Sequence, residues 1–316
     1  MKPVFIKPLL AAAAALAAFG ASAQTSINLQ DYTLTGNYAL PTLNELGLEA
    51  SAVTYARDRN SLFVVGDEGL GVVEFSLTGQ TLGSMAFDWA GTGSSNNDAE
   101  GLTYLGGGQL VVVDERPQYA YRFTYAAGAT QALGSTPRVA ITGNPASVGN
   151  VGTEGISVDP RDGSFFSVKQ DNPLELRYGS LDFATGTSTM SVQFTGAASL
   201  FGVNSFSDVQ TLAPVDSFAG QPAADNLLIL SLDSRRLIEI DRAGNLLSSL
   251  DLSGITAQAL EGVTVDELGT IYLVAEDSGT GNSRLFVLTP VPEPGTYAML
   301  LAGLLRLGAA AHRRRN

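Results

Sequence analysis

The chain of 316 residues carries 18 basic against 31 acidic side chains, a net charge of −13, no cysteine and a single histidine, His312, close to its end. The lack of cysteine excludes disulfides, thiolate nucleophiles and cysteine-based metal sites. A histidine confined to the tail excludes Ser-His-Asp catalysis and ordinary zinc sites from the rest of the chain. So acidic a surface repels nucleic acid and anionic lipid and suits hard cations such as calcium, or cationic partners, although solubility alone accounts for much of such an excess.

Taken in chain order, Lys2 and Lys7 precede an apolar stretch over residues 9–19 and then Ala21-Ser22-Ala23. A charged region, an apolar core and an A-x-A site in that order predict a secretory signal peptide over residues 1–23, cut before Gln24. The body to be explained is residues 24–291, where twelve basic and thirty acidic residues leave a balance of −18. Its length suits one large all-β domain or two ordinary ones.

Within the body one short pattern recurs five times: a small or acidic residue, a second residue that is usually Gly or Ala, then an alternating apolar strand. The copies are Ser51-Ala52-Val53-Thr54-Tyr55, Glu100-Gly101-Leu102-Thr103-Tyr104, Glu154-Gly155-Ile156-Ser157-Val158, Ser207-Asp208-Val209-Gln210-Thr211 and Glu261-Gly262-Val263-Thr264-Val265. Their first positions are separated by 49, 54, 53 and 54 residues. Each copy is followed by a second apolar run, at 62–65, 110–113, 165–168, 227–230 and 271–274. Turn residues such as Asp58-Arg59-Asn60, Gly106-Gly107-Gly108 and Pro160-Arg161-Asp162-Gly163 separate most of these pairs, which therefore read as hairpins. Third strands are expected at 72–77, 120–125, 237–241 and 285–288, and fourth strands at 82–87, 139–142, 191–195 and 246–250.

About four strands in every ~50 residues, five times over, predict an all-β fold: a five-bladed β-propeller of four-stranded blades, with six blades as the alternative count. A two-domain β-sandwich is the competing architecture, but it leaves the repeat spacing unexplained. The fifth repeat has room for only three strands. Residues 26–34 read as extended and are expected to supply the missing one, which joins the two ends of the body and removes an exposed edge.

The last 25 residues have their own organisation. Pro292-Glu293-Pro294 is followed by an apolar run over 297–311, interrupted by Arg306, and then by Arg313-Arg314-Arg315. A short motif, a weak span and an arginine stop resemble the PEP-CTERM sorting signals of bacteria that make exopolysaccharide. That resemblance implies an exosortase-type peptidase acting near Pro292, Glu293 and Pro294, and only transient membrane contact over 292–316. A permanent tail anchor is the alternative. The expected destination after export is the cell surface, the extracellular matrix or the medium.

The body in turn resembles the SdiA-regulated family, which includes the YjiK protein. The resemblance rests on Glu49-to-Val53, Ala99-Glu100-Gly101-Leu102, Val113-Asp114-Glu115-Arg116, Gly152-Thr153-Glu154-Gly155, Asp159-Pro160-Arg161-Asp162-Gly163, Asp233-Ser234-Arg235-Arg236-Leu237 and Leu260-Glu261-Gly262-Val263, in that order. It implies a five-bladed propeller with a bound calcium ion. Ser207-Asp208 departs from the family pattern, and Lys169 stands at a strand end where the first two repeats have Asp67 and Asp114.

Glu100, Glu154 and Glu261 share one repeat position, so a propeller brings them to one end of the axis; Glu49 and Asp208 are offset by one or two residues and within reach. Carboxylates brought together raise one another's pKa, and calcium, which takes six to eight oxygens, relieves the repulsion. The five form the expected metal site. The bland reading is that each carboxylate caps amides or pairs with Lys169, Arg116 or Arg235. Asp67-Glu68, Asp114-Glu115 and Glu276-Asp277 recur at second-strand ends as a further shell of acids or a solvated rim. Asn96-Asn97-Asp98 reads as a polar turn with oxygen ligands to spare, and Phe87 and Trp89 as packing between blades. The function expected is a calcium-stabilised binding or interaction module without catalytic residues, its partner a protein, glycan or small molecule. The alternatives are a metal-dependent phytase-like or lactonase-like hydrolase and a purely structural matrix component.

Overall fold

Neighbouring residues along the strands face different partners. In the second strand of the first repeat, Leu62 and Val64 pack toward Tyr272 and Val274 of the last repeat, whereas Phe63 and Val65 pack toward Leu110 and Val112 of the second. A strand with both faces covered needs an apolar residue at every position, which is why these runs read as continuous rather than alternating. The computed structural model describes residues 23–94, 96–143, 147–196, 199–277 and 282–291. The expected signal peptide, apart from Ala23, and the whole sorting segment 292–316 lie outside the described residues.

The strands in order are β1 (Tyr32–Leu40); β2 (Ala50–Ala56), β3 (Ser61–Gly66), β4 (Gly71–Phe75) and β5 (Thr81–Asp88) of blade 1; β6 (Ala99–Gly106), β7 (Gln109–Asp114), β8 (Tyr119–Thr124), β9 (Thr130–Ala132) and β10 (Arg138–Ala140) around blade 2. Blade 3 has β11 (Thr153–Val158), β12 (Phe165–Lys169), β13 (Leu174–Gly179) and β16 (Ser191–Gly196), with a small hairpin of β14 (Leu181–Asp182) and β15 (Thr187–Ser188) inserted before the last. Blade 4 has β17 (Asp208–Thr211), β18 (Leu227–Ser231), β19 (Arg236–Ile240) and β20 (Leu246–Asp251). Blade 5 has β21 (Leu260–Val265), β22 (Ile271–Ala275) and β23 (Ser283–Pro290). Among the described residues the helical turns are short 3₁₀ segments, and no helix is long and apolar enough to cross a membrane.

The five sheets of four or five strands give the count of five rather than six blades. The first strand of each blade, β2, β6, β11, β17 and β21, touches the first strand of the next, and β21 returns to β2, which closes the ring. Five apolar clusters fill the five spaces between blades. Burying a Leu or Phe side chain fully in such a cluster contributes roughly 1.5–3 kcal/mol. Phe87 and Trp89 sit between blades 1 and 2 in edge-to-face contact, with Trp89 also against Tyr121, as packing residues.

The ring is closed by the N-terminal strand, in a position slightly later than the sequence suggested. β1 covers Tyr32–Leu40 and pairs antiparallel with β23 as the outer strand of blade 5, from Tyr32↔Pro290 to Leu40↔Ser283. Residues 26–31 instead run over blade 4. There the buried carboxylate of Glu239 accepts hydrogen bonds from Ser26 Oγ, the Ile27 amide, Asn226 Nδ2 and Ser248 Oγ. Blade 1 also departs from the four-stranded expectation, because β9, borrowed from the β8–β10 connection, adds a fifth strand in parallel to β5. The third strand of blade 3, β13, had no clear apolar run because Glu175 and Arg177 interrupt it; these two pair with each other.

Candidate functional site at the acidic end of the axis

Four of the five signatures, those of blades 1, 2, 3 and 5, begin with a β-bulge. Between Ala50 and Ala52, Ala99 and Gly101, Thr153 and Gly155, and Leu260 and Gly262 the register slips, leaving Ser51, Glu100, Glu154 and Glu261 without a partner across the ladder. In blade 4 the register runs unbroken from Asp208↔Leu230, and the Ser207 amide, just before the strand, donates to the Leu230 carbonyl oxygen. A bulge re-aims the extra side chain, and here it turns the same repeat position of successive blades toward one end of the axis. The residue after the bulge is glycine where the next blade comes closest. A Cβ on Gly101 would lie 2.8 Å from the Glu154 carbonyl oxygen, and one on Gly155 2.6 Å from the Asp208 Cα.

The carboxylates of Glu100, Glu154 and Glu261 do come together. One oxygen each of Glu100, Asp67 and Asp98 lie within 4.8 Å of one another. The Glu154 carboxyl group lies against that of Glu115 and in the field of Glu100 and Glu261, and Glu261 lies against Glu276. Glu154 is buried, while Glu100 and Glu261 are half-buried along the chain as a whole. Glu49 stands at the border, where its Oε2 accepts the Asp277 amide at 3.1 Å and feels Asp277 and Glu276. Asp208 is placed apart from them. Its two oxygens accept the amides of Val209 and Val263, both at 2.8 Å, and among the described residues no other carboxylate is a cause of its pKa shift.

Removal from water and mutual repulsion push these acids up. Burial, then the charges of Asp67, Asp98 and Glu115, hold Glu100 well above the usual carboxylate range. Glu154 and Glu261 are raised in the same way, by burial first and the field of Glu100 second. Burial raises Asp67 to about 6, and Asp114, Glu115 and Glu49 to about 7. Asp114 Oδ2 and Glu115 Oε2 are buried with no hydrogen-bond partner among the described residues. The cations nearby are already engaged: Arg116 with Asp98 and Asn150, and Lys169 Nζ with the carbonyl oxygens of Asp171 and Pro173.

The donors are hard oxygens only, which is the chemistry of calcium or magnesium rather than of zinc or copper. Two oxygens bound to one calcium ion at about 2.4 Å are at most roughly 4.8 Å apart, so the separations among Asp67, Asp98 and Glu100 fit a shared ion. The sequence placed Asp67 and Asp98 outside the primary set. Asp67 is at the end of β3 and Asp98 in the turn before β6, so neither belongs to the repeat position that marked the other three.

The opposite end of the inner strands is built differently. The fourth signature position is polar throughout, and it forms a belt. Thr54 accepts the Tyr104 amide, Thr103 that of Val158, Ser157 that of Thr211, and Thr264 that of Tyr55, all at 3.1 Å, while Thr264 donates to Gln210 Oε1. Above the belt opens a cavity of about 880 Å³. The long β17–β18 connection walls one side, held by the Asp216 amide on the Glu267 carbonyl and by a bidentate pair of Arg57 with Asp216, two bonds of 2.8 Å.

Five sheets about an axis, with carboxylates at one end and a cavity at the other, make this a five-bladed β-propeller. The chain belongs to the SdiA-regulated family, whose model matches residues 24–278. Among solved structures, the β-propeller domain of Cps50 (Swd1) from Myceliophteria thermophila is 14% identical, with a TM-score of 0.40. The match covers 73% of this chain and 64% of that one.

Proposed function

We propose that the chain is an exported propeller, sorted to the cell surface or extracellular matrix, in which a bound calcium ion ties the inner strands together at the acidic end and the molecule acts as a binding or interaction module. The observation that carries this reading is the approach of Glu100, Asp67 and Asp98 within 4.8 Å, with Glu154 and Glu261 beside them and the neighbouring cations already spent. Such a cluster is unfavourable at neutral pH unless protons or a cation occupy it. Export is supported by the pattern over residues 1–23; sorting by an exosortase-type peptidase, with transient membrane contact, is supported by Pro292-Glu293-Pro294 and the segment after it. The partner is a protein, a glycan or a small molecule.

A metal-dependent hydrolase is the second reading, because a carboxylate-only metal site needs no histidine. It is disfavoured by the engagement of Arg116 and Lys169, since binding a phosphate ester calls for free guanidinium or ammonium donors. Calorimetric titration of calcium into chelator-treated protein tests the proposal. Saturable binding that disappears in the combined Glu100→Gln, Glu154→Gln, Glu261→Gln variant is expected. Absence of binding in the parent protein overturns it, and calcium-dependent turnover of p-nitrophenyl phosphate, phytate or a lactone would promote the second reading.

A further inference from the structure

We infer that the 880 Å³ cavity at the end of the axis opposite the carboxylates binds a small organic acid, its carboxylate on Arg122 and its apolar body against Leu181 and Phe183. The inference deepens the binding-module reading by naming the face and the ligand class, and it does not require the metal. A volume of this size suits a drug-sized molecule, and such sites combine apolar walls with a few placed polar groups.

The acceptors of the cavity are spent or sealed. Both Asp216 oxygens take Arg57, Asp58 takes the Gly107 amide and lies against the Tyr104 hydroxyl, and Gln210 Oε1 takes Thr264. Glu267 lies against the Tyr55 hydroxyl, and its Oε2 is shut off from solvent. The donors are not spent. Thr54, Thr103 and Ser157 each accept an amide through the hydroxyl oxygen, and among the described residues nothing accepts their hydroxyl hydrogens. Arg122 lies over the Phe183 ring at 5.2 Å; the exposed Asp182 carboxylate lies in its field, but among the described residues no carboxylate is hydrogen-bonded to it.

Two of these donors, Thr103 and Arg122, share one face of blade 2. Thr103, Val111 and Arg122 stand opposite one another across β6, β7 and β8, so their side chains leave the same face of blade 2, toward blade 3. On blade 3 that face meets Val158, Phe165, Leu181 and Phe183. Asp58 and Glu267, from blades 1 and 5, are held by the Gly107 amide and the Tyr104 hydroxyl and by the Tyr55 hydroxyl. A ligand with an acceptor-rich head and an apolar tail therefore matches what this wall leaves unsatisfied, and a guanidinium prefers a carboxylate as that head.

The probe is 1-anilinonaphthalene-8-sulfonate, an apolar body with an anionic group, added to the purified protein in calcium and again in chelator. Its fluorescence titration is expected to saturate at one site per chain and to be reversed by octanoate. Octanamide should compete roughly tenfold or more weakly, and Arg122→Gln should abolish that difference while the protein still unfolds cooperatively. Ala213→Trp, which fills the cavity from the β17–β18 connection, should remove both competitors. The proposal is overturned if octanoate fails to displace the probe at millimolar concentration, if acid and amide compete equally in the parent protein, or if Ala213→Trp leaves competition intact. Because the titrations are run with and without calcium, failure of the metal reading leaves these outcomes legible.

Discussion

The carboxylate of Asp208 accepts the amide of Val263 from the next blade at 2.8 Å, while its other oxygen accepts the Val209 amide at the same distance. It occupies the second signature position, where blades 2, 3 and 5 have glycine. Burial pushes its pKa well up, and the two amides pull it back. Asp208 is thus a bridge between blades 4 and 5, built from one side chain. Replacing it by Asn keeps the shape but sets an NH₂ group against one of the amides. Leaving a buried donor unsatisfied costs about 1–3 kcal/mol, and more where the lost partner is charged. Asp208→Asn is expected to lower stability by at least that amount in a denaturant titration while calcium affinity, measured calorimetrically, is unchanged. A large loss of calcium affinity at full stability would instead place Asp208 among the ligands.

The acidic end gives the metal-free protein an unusual pH dependence. Asp67 titrates at about 6, and Asp114, Glu115 and Glu49 at about 7, in the folded chain, all above their ordinary values. Between those ordinary values and the raised ones, the folded state holds more protons than the unfolded state, so stability falls as pH rises. The stabilising contribution is present in full only below the ordinary values of 3.8 and 4.5, and is lost as pH rises through about 6 to about 7. In chelator the melting temperature should therefore drop from pH 5 to pH 7.5. Calcium should restore it at pH 7.5 and do little at pH 5, where protons compete for the same oxygens. A chelated protein that melts higher at pH 7.5 than at pH 5 would contradict the placement of these carboxylates.

The hydroxyl belt carries its own test. Thr103→Val preserves shape but removes the oxygen that accepts the Val158 amide, and Ser157→Ala does the same to the Thr211 amide. Each is expected to cost about 1–3 kcal/mol, read from the denaturation midpoint at unchanged slope. The losses should be close to additive only if each latch acts on its own blade junction. The residues lie in consecutive junctions, so a double variant measures how far one junction senses the next.

The ring of five was legible because it repeats. A period near 53 residues, short strands with both faces apolar, and a fifth repeat short of one strand are all properties of local sequence. So was the convergence of Glu100, Glu154 and Glu261, since equal repeat positions in a closed ring face one axis. The rest was less legible because it breaks the period. Asp67 and Asp98 reach Glu100 from a strand end and a turn. Asp208 looked like a displaced ligand, yet its geometry is set by amides that no sequence pattern marks. The fourth signature position did carry a signal: Thr54, Thr103, Ser157, Gln210 and Thr264 are polar at the same place in otherwise apolar strands. The cavity wall did not, because the β17–β18 connection has no counterpart in the other blades.

The closure of the ring depends on the N-terminal segment twice over. β1 covers the edge of β23 along eight paired positions, and Leu29 and Tyr32 enter the cluster between blades 4 and 5 while Leu40 enters the one between blades 5 and 1. Just before it, Glu239 collects Ser26, Ile27, Asn226 and Ser248 on one buried carboxylate. Glu239→Gln leaves a single acceptor oxygen for these donors, so at least one becomes unsatisfied. The expected cost is about 1–3 kcal/mol, with solubility intact, seen as an earlier midpoint in denaturant. Removing residues 32–40 is a different kind of change, because it bares the backbone donors and acceptors of β23 and an apolar face together. Exposed edges of this kind recruit other chains, so that truncation should aggregate rather than unfold reversibly. Light scattering during refolding separates the two cases. Equal solubility of the truncated and full chains would mean that β1 decorates a ring already closed by the inner strands alone.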